Sequence, residues 1–378
     1  MYISTASILA VVFYQKELSM TLKTTTIGAF PKPKETPIQD WFLSTKSEEE
    51  RKASKGLLAN WSPGAYEKSI KKAGNNVENL FLESIKQAVT DQVNAGIDVP
   101  TDGEIRRESY VLYQCRFLNG ISFEEVTHKS VRQGAFEADL PTIIGPISSK
   151  EIQLVKDWKS AQQFTSNPIK ITLPGPMTIS DSIANNYYHD PKKMGFDFAQ
   201  ALNKEVLALV EAGCKYIQVD EPVFARKPDE AIEYGMENLE RTMHGIPEEV
   251  QRVCHICCGY PNSLDSDGYK KADTDAYDKI ADLIDQSSLD EVSLEDSHRH
   301  NDLTLLEKFK NTKIILGIVD IAKSRMESVE EVRERIKEAL NHIDKDRLIA
   351  APDCGLGFFT RDQAIQKMTI MSKAAKSI

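Results

Sequence analysis

The stretch KYIQVDEPVFARKPDEAIEYGMENLERTMHGIPEEVQRVCHICCG, residues 215–259, decides how the chain folds. It opens on a β-rich run, Tyr216–Asp220, continues through an amphipathic helical stretch, Pro228–Met243, and closes on a second β-rich run, Arg252–Cys257. A helix between two strands carries the chain back to its starting end, so the strands lie parallel. Working outward, the same unit recurs. Further β-rich runs are expected at Thr24–Phe30, Ile97–Thr101, Ile169–Leu173, Glu291–Glu295, Lys313–Val319 and Arg347–Ala351, eight in all. Helical stretches Asn76–Ala95, Asp190–Ala212, Asp273–Gln286, Val329–His342 and Thr360–Lys376 separate most of them. Eight alternations predict an α/β chain closed into a single (β/α)8 TIM barrel. An open, doubly wound sheet is the competing architecture, but no GxGxxG follows an early strand.

Two regions break the rhythm. Residues 105–165 mix aromatics, charges and a short apolar run at Leu140–Ile147, which predicts an insertion between the second and third strands. A hairpin there is expected to cover the mouth of the barrel. Lys34–Gly74 reads as helical decoration after the first strand. At the N-terminus, the apolar stretch Ala6–Tyr14 is too short to span a bilayer and lacks a basic flank and a small-residue cleavage site. Residues 1–19 are therefore expected to be an extension outside the fold, and residues 20–378 a single catalytic barrel.

The 378 residues carry a net charge of −10 with both signs well mixed, so there is no basic footprint for nucleic acid or an anionic membrane. Six cysteines are too few for a disulfide scaffold, and Cys254, Cys257 and Cys258 crowd into five positions. Such crowding without a disulfide framework predicts metal or redox chemistry in a reducing, cytoplasmic setting. A homo-oligomer is compatible with the sequence and not demanded by it.

Barrel enzymes carry their working residues just past the C-terminal ends of the strands. Here those ends read Gly28-Ala29-Phe30, Asp102-Gly103-Glu104, Pro174-Gly175-Pro176, Asp220-Glu221, His255-Ile256-Cys257, Glu295-Asp296, Asp320, and Asp353-Cys354. Positions two apart on a strand share a face, so His255 and Cys257 converge while Cys254, Ile256 and Cys258 point elsewhere. With Glu295 and Cys354 at other strand ends, one His, two Cys and one Glu form a donor set suited to Zn2+. Spacing alone leaves two alternatives open: a Cys254-x-x-Cys257 redox pair, and cysteines that simply fill core.

The ordered motifs ITLPGPMTIS, YIQVDEPVF, HICCG, VSLEDS, LGIVDI and APDCGLG, with TTTIGAFPKP before them, resemble the catalytic barrel of cobalamin-independent methionine synthase. The resemblance spans roughly Lys23 to Lys376 and fits the short, core-type members with one barrel. It implies zinc on His255, Cys257, Glu295 and Cys354. It implies that Glu104 and Asp220 hold the ammonium group of an amino acid thiol such as homocysteine. The expected reaction is zinc-assisted alkylation of that thiol, with methyl-folate or a corrinoid protein as donor.

Three positions depart from the folate-dependent pattern. Ala29 stands where the family usually places a Ser that touches the amino acid. Ser182 stands near a Trp that stacks on the pterin, and Ala322 where a His assists methyl transfer, with Lys323 adjacent. The resemblance therefore extends to epoxyalkane:coenzyme M transferases, in which the activated thiol opens an epoxide. The run Asp296–Asp302 offers proton donors for that chemistry. Asp320 and His298 are the candidate catalytic groups, and Ala29 joins Glu104 and Asp220 as candidate substrate contacts. A non-catalytic zinc protein, and a metal-free decarboxylase of the uroporphyrinogen type, are the readings outside this chemistry.

Overall fold

The computed structural model describes residues 21–40, 62–131, 136–261, 263–265 and 271–378. The expected N-terminal extension, and residues 41–61 of the expected decoration, lie outside these. The fold is α/β. Seven parallel strands form one sheet: β1 Lys23–Thr24, β4 Lys170–Pro174, β6 Tyr216–Asp220, β7 Gln251–Ile256, β8 Glu291–Glu295, β9 Lys313–Val319 and β10 Leu348–Pro352, in the order β1-β10-β9-β8-β7-β6-β4. The remaining strands are β2 Leu118–Val131, β3 Phe136–Ser149 and β5 Ala184–Asn185, which form a separate sheet in the order β2-β3-β5.

The parallel sheet curls until its two edges are bridged by one segment. Residues 97–101, expected as a full strand, touch both edges through single parallel bridges, Thr25 with Val99 and Thr101 with Lys170. The reason for so short a ladder is local. Pro100 has no N–H to give, and its carbonyl accepts from Lys170 N at 2.9 Å. The Thr101 N–H donates instead to Gln92 Oε1 at 3.0 Å. The first strand shortens similarly: the Ile27 carbonyl accepts from Gln218 Nε2 and the Gly28 carbonyl from Thr101 Oγ1. Side chains take carbonyls that a ladder would have used.

Strand alternation divides the core in two. Ile171, Leu173, Ile217, Val219, Cys254, Ile256, Val292 and Leu294 face outward into the main core under the helices. Ile27, Val253, Ile315, Ile349 and Ala351 form a small inner cluster. The longest helix shows how the sequence supplies the outer layer. Asp190 accepts from Lys192 N, Pro191 occupies the first turn, and Gly213 ends the helix at φ 101°, where a side chain would be strained. Between them, Phe198, Leu202, Val206 and Leu209 recur at helical spacing and are fully buried, each stabilising by about 2 kcal/mol. Among the described residues no helix is long and apolar enough to cross a membrane.

The insertion is present. It holds a short helix, Tyr110–Cys115, the β2–β3 hairpin and a helix, Leu154–Gln162. The hairpin packs along the helix Pro191–Ala212, and Lys129 on β2 donates to the carbonyls of Asp181 and Ile183 on either side of Ser182. Leu140 and Ile143 are fully buried.

One turn has an unusually tight fit. A Cβ at Gly175 would lie 2.1 Å from Glu221 Oε1. Glu221, fully buried, accepts from Met177 N, Thr178 N and Thr178 Oγ1, tying the end of β6 to the helix Pro176–Ser182. Gly175→Ala is expected to displace that carboxylate and cost about 2–3 kcal/mol. A denaturant midpoint equal to wild type would show that the turn yields freely.

Candidate active site

A cleft opens past the C-terminal ends of the parallel strands. Ala29, Glu104, Asp220, His255, Cys257 and Cys354, drawn from at or past the ends of four of these strands and from past the bridging segment 97–101, all line it. The sequence placed these residues far apart, and the curl of the sheet brings them together.

His255, Cys257 and Cys354 offer ligand atoms that all lie within 4.8 Å of one another. Cys354 Sγ stands 3.4 Å from His255 Nε2. His255 and Cys257 face the cleft, whereas Cys254, Ile256 and Cys258 join the outer core, as the period of two requires. The His255 ring is oriented from behind: Nδ1 shares a hydrogen bond with Ser293 Oγ at 3.0 Å. Burial, and then the charge of Lys170, hold this imidazole down at about 3, so it is neutral at physiological pH and offers a lone pair. The hydrogen bond with Cys354 and burial push the Cys257 thiol well above its usual range. The set suits a cation that displaces both thiol protons. Ser293→Ala removes the group that orients His255. It is expected to weaken zinc uptake 10–100-fold by chelator competition.

Glu295 lies next to this group but outside the 4.8 Å set. It is 2% exposed, and neither carboxylate oxygen has a hydrogen-bond partner among the described residues. Burial, and then the neighbouring Cys257, raise its carboxyl far above the usual range. A buried carboxylate beside two thiols and a neutral imidazole makes a donor set suited to a borderline-soft cation.

Asp320 and His298 stand elsewhere. With Asp353 they form a second group within 4.8 Å, and neither lines the cleft. Asp353 is fully buried and accepts from the backbone N–H groups of Asp296, Ser297 and His298. It also holds His298 Nδ1 at 2.6 Å, while His298 Nε2 lies 3.5 Å from Glu295 Oε2. The pair backs the Glu295 carboxylate and does not reach the open cleft.

The adjoining part of the lining is acidic, with Asp220 in register with His255 on the neighbouring strand. Glu104 and Asp220 are both largely buried there. Burial raises both carboxyls, and each raises the other or is raised by a further acid: Glu104 acts on Asp220, and Asp102 on Glu104. Glu104 accepts from Thr172 Oγ1 at 2.8 Å and adopts φ 56°, a conformation costly for a side chain and typical of functional positions. Gly28 leaves it room, since a Cβ there would lie 2.6 Å from Glu104 Oε1. Arg107 is 1% exposed and donates to the Thr172 carbonyl at 2.8 Å. Two facing buried carboxylates with one fixed guanidinium behind them favour a small cation, such as an ammonium group.

Ala29 and Ser182 both line the cleft, while Ala322 is buried and its carbonyl accepts from Asp265 N. Sequence reading missed Ser293 and Tyr260, and named Asp353 only as a strand-end residue. Ser293 was recoverable, because it precedes Glu295 by two and so shares its face. Tyr260 lines the cleft and stacks on Phe358 at 5.0 Å between ring centroids, a pairing that no local pattern announces.

A parallel α/β chain that gathers a His–Cys–Cys group and facing carboxylates at its strand ends belongs to the α/β enzymes with a metal-competent site. More particularly, the family model "Cobalamin-independent synthase, Catalytic domain" matches residues 64–377, and the chain belongs to that family, the cobalamin-independent methionine synthases. It is 30% identical to a methionine synthase of Saccharolobus solfataricus over 363 residues, covering 94% of this chain and 95% of that protein. It is 29% identical to a methionine synthase of Sulfolobus acidocaldarius, covering 93% and 91%. A solved B12-independent methionine synthase from Shewanella sp. W3-18-1, in complex with selenomethionine, aligns at TM-score 0.79 and 28% identity. That alignment covers 94% of this chain and 97% of that one.

Proposed function

We propose that this chain is a zinc-dependent S-methyltransferase that methylates homocysteine to methionine. Its donor is methyl-folate or a methyl-corrinoid carried by a partner protein. The reading includes closure of the curled sheet into a (β/α)8 barrel through residues 97–101, with residues 20–378 as one catalytic unit. The observation that carries it is the convergence of His255, Cys257 and Cys354 on one point. The orphaned Glu295 lies beside them, and Glu104 and Asp220 share the cleft. All six cysteines are unpaired, which fits a cytoplasmic, reducing setting.

His255, Cys257, Glu295 and Cys354 would hold the zinc. When bound, it supplies the Lewis acidity that lets a thiol lose its proton at neutral pH. Glu104 and Asp220 would take the ammonium group of the amino acid. Arg107 and Thr172 keep the Glu104 carboxylate aimed at the cleft. Ser293 fixes the His255 ring, so the metal-facing nitrogen does not wander. Anchoring the ammonium end leaves the sulfur at a set depth. Transfer then depends on holding the methyl carbon in line with it, where positioning supplies much of the rate.

The test incubates zinc-loaded protein with homocysteine or coenzyme M. Each is paired with methyl-folate, methylcobalamin or a short epoxide, and loss of free thiol is followed. Methionine formed from homocysteine with either methyl donor supports the proposal and identifies the donor. Turnover only with an epoxide and coenzyme M removes methionine synthesis altogether.

A further inference from the structure

Beneath the cleft, on the inner face of the curled sheet, lies a second set of polar side chains that the reaction as described does not use. Lys170 begins β4 opposite Tyr216, and Glu291 begins β8. Alternation turns both inward, because Ile171 and Val292 face the outer core. Lys170 is fully buried, and its Nζ has no hydrogen-bond partner among the described residues. Glu291 Oε1 and Gln218 Oε1, also buried, are unpartnered too. Lys23, at the start of β1, donates to Tyr216 Oη at 3.0 Å on the same side.

A buried ammonium costs several kcal/mol to desolvate, and no local hydrogen bond here offsets that cost. Its field is offset by no hydrogen-bonded anion, although the Glu291 carboxylate pulls on it. It acts upward on His255 and Asp220, at the C-terminal ends of the neighbouring strands, and sideways on Glu291. Burial draws the Lys170 ammonium down to about 8 against the pull of Glu291 and Asp220, so it stays charged at neutral pH. What stands above it becomes increasingly anionic as the site fills. With a divalent ion held, two cysteine thiolates and Glu295 would set three negative charges against its two positive ones, and a deprotonated substrate sulfur would add a fourth.

We propose that Lys170 is a positioning residue that acts through its field. Its fixed, unpaired ammonium under the cleft selectively stabilises the substrate as a sulfur anion, with the thiol proton leaving to solvent. This inference rests on the methyltransferase reading above. Glu291, one charge of opposite sign at the same level, opposes the effect. Because Asp220 shares the field, the ammonium end of any amino acid is influenced alike. Homocysteine, bound as an anion, differs from methionine, a neutral thioether, by a methyl group and by the charge on sulfur, and of these only the charge responds to a remote ammonium.

The experiment measures calorimetric dissociation constants of homocysteine and methionine on zinc-loaded wild type, Lys170→Met and Glu291→Gln, with metal content confirmed by elemental analysis. In Lys170→Met the ratio Kd(homocysteine)/Kd(methionine) is expected to rise about tenfold, the effect of one unit charge at roughly 10 Å through protein. In Glu291→Gln the ratio is expected to fall. Should Lys170→Met fail to fold, the fall in Glu291→Gln decides the matter alone. A structural role for Lys170 would weaken both ligands together and leave the ratio unchanged, and that result overturns the inference. Zinc-loaded wild type that binds neither amino acid defeats the functional reading instead.

Discussion

Cys354→Ala and His255→Ala proteins are expected to emerge from purification without zinc and with methyl transfer reduced on the order of a thousandfold. Cys258→Ala should retain both. The contrast tests geometry rather than composition. Cys257 and Cys258 are neighbours in sequence and both buried, yet only Cys257 shares the 4.8 Å group. Cys258 points into the outer core, where Arg299 Nη2 approaches its sulfur at 3.6 Å. Elemental analysis and activity, read together, are the measurement. Full metal occupancy in Cys354→Ala would contradict the ligand assignment. Chelation of wild type extends the same logic. The described core is large, and the parallel ladders and buried helices hold the sheet, so removal of zinc should abolish thiol alkylation and leave the circular dichroism spectrum intact. A chain that unfolds on chelation would be a structural zinc protein.

How much of this was legible in the sequence follows from the range of the interactions involved. Strand parity is local, so His255 and Cys257 on one face, with Cys254 and Cys258 off it, could be read from spacing alone. The six later strands and most of the helices were legible for the same reason: burial on one face imposes a period. The first strand and residues 97–101 were less legible. Their ladders are cut short by side chains, Gln92 and Gln218, which reach in from elsewhere. The interruption of the helix over Pro228–Met243 by a π-helical segment, Ala231–Gly235, left no mark on the amphipathic pattern either. The site divides similarly. Glu104, Asp220 and Cys354 could be placed because strand ends share a mouth. That Asp353 draws His298 behind Glu295, away from the cleft, depends on three backbone donors in a loop that sequence does not position. The inward, unpaired Lys170 was hidden because its run, Ile169–Leu173, is otherwise apolar.

Asp220→Asn is expected to raise the KM for homocysteine about 30- to 1000-fold while zinc content stays at wild type. Losing one member of a buried charge pair costs about 2–5 kcal/mol, and each 1.4 kcal/mol is tenfold. Asn keeps the shape and can still accept from Gln218 Nε2, which donates to Asp220 Oδ1 at 2.7 Å. The defect is therefore one of charge and not of folding. The pH dependence gives an independent check. Burial, and then Glu104, hold the Asp220 carboxyl well above its usual range, so the ammonium-binding anion is lost on acidification earlier than for an exposed carboxyl. In wild type, KM should climb as pH falls through that raised value. In Asp220→Asn the climb should flatten, since the group that titrates is gone. A KM that rises in the variant yet keeps the wild-type pH slope would assign ammonium recognition to Glu104 alone. A KM that does not rise would remove Asp220 from the substrate site, and with it the argument that two facing carboxylates select an amino acid.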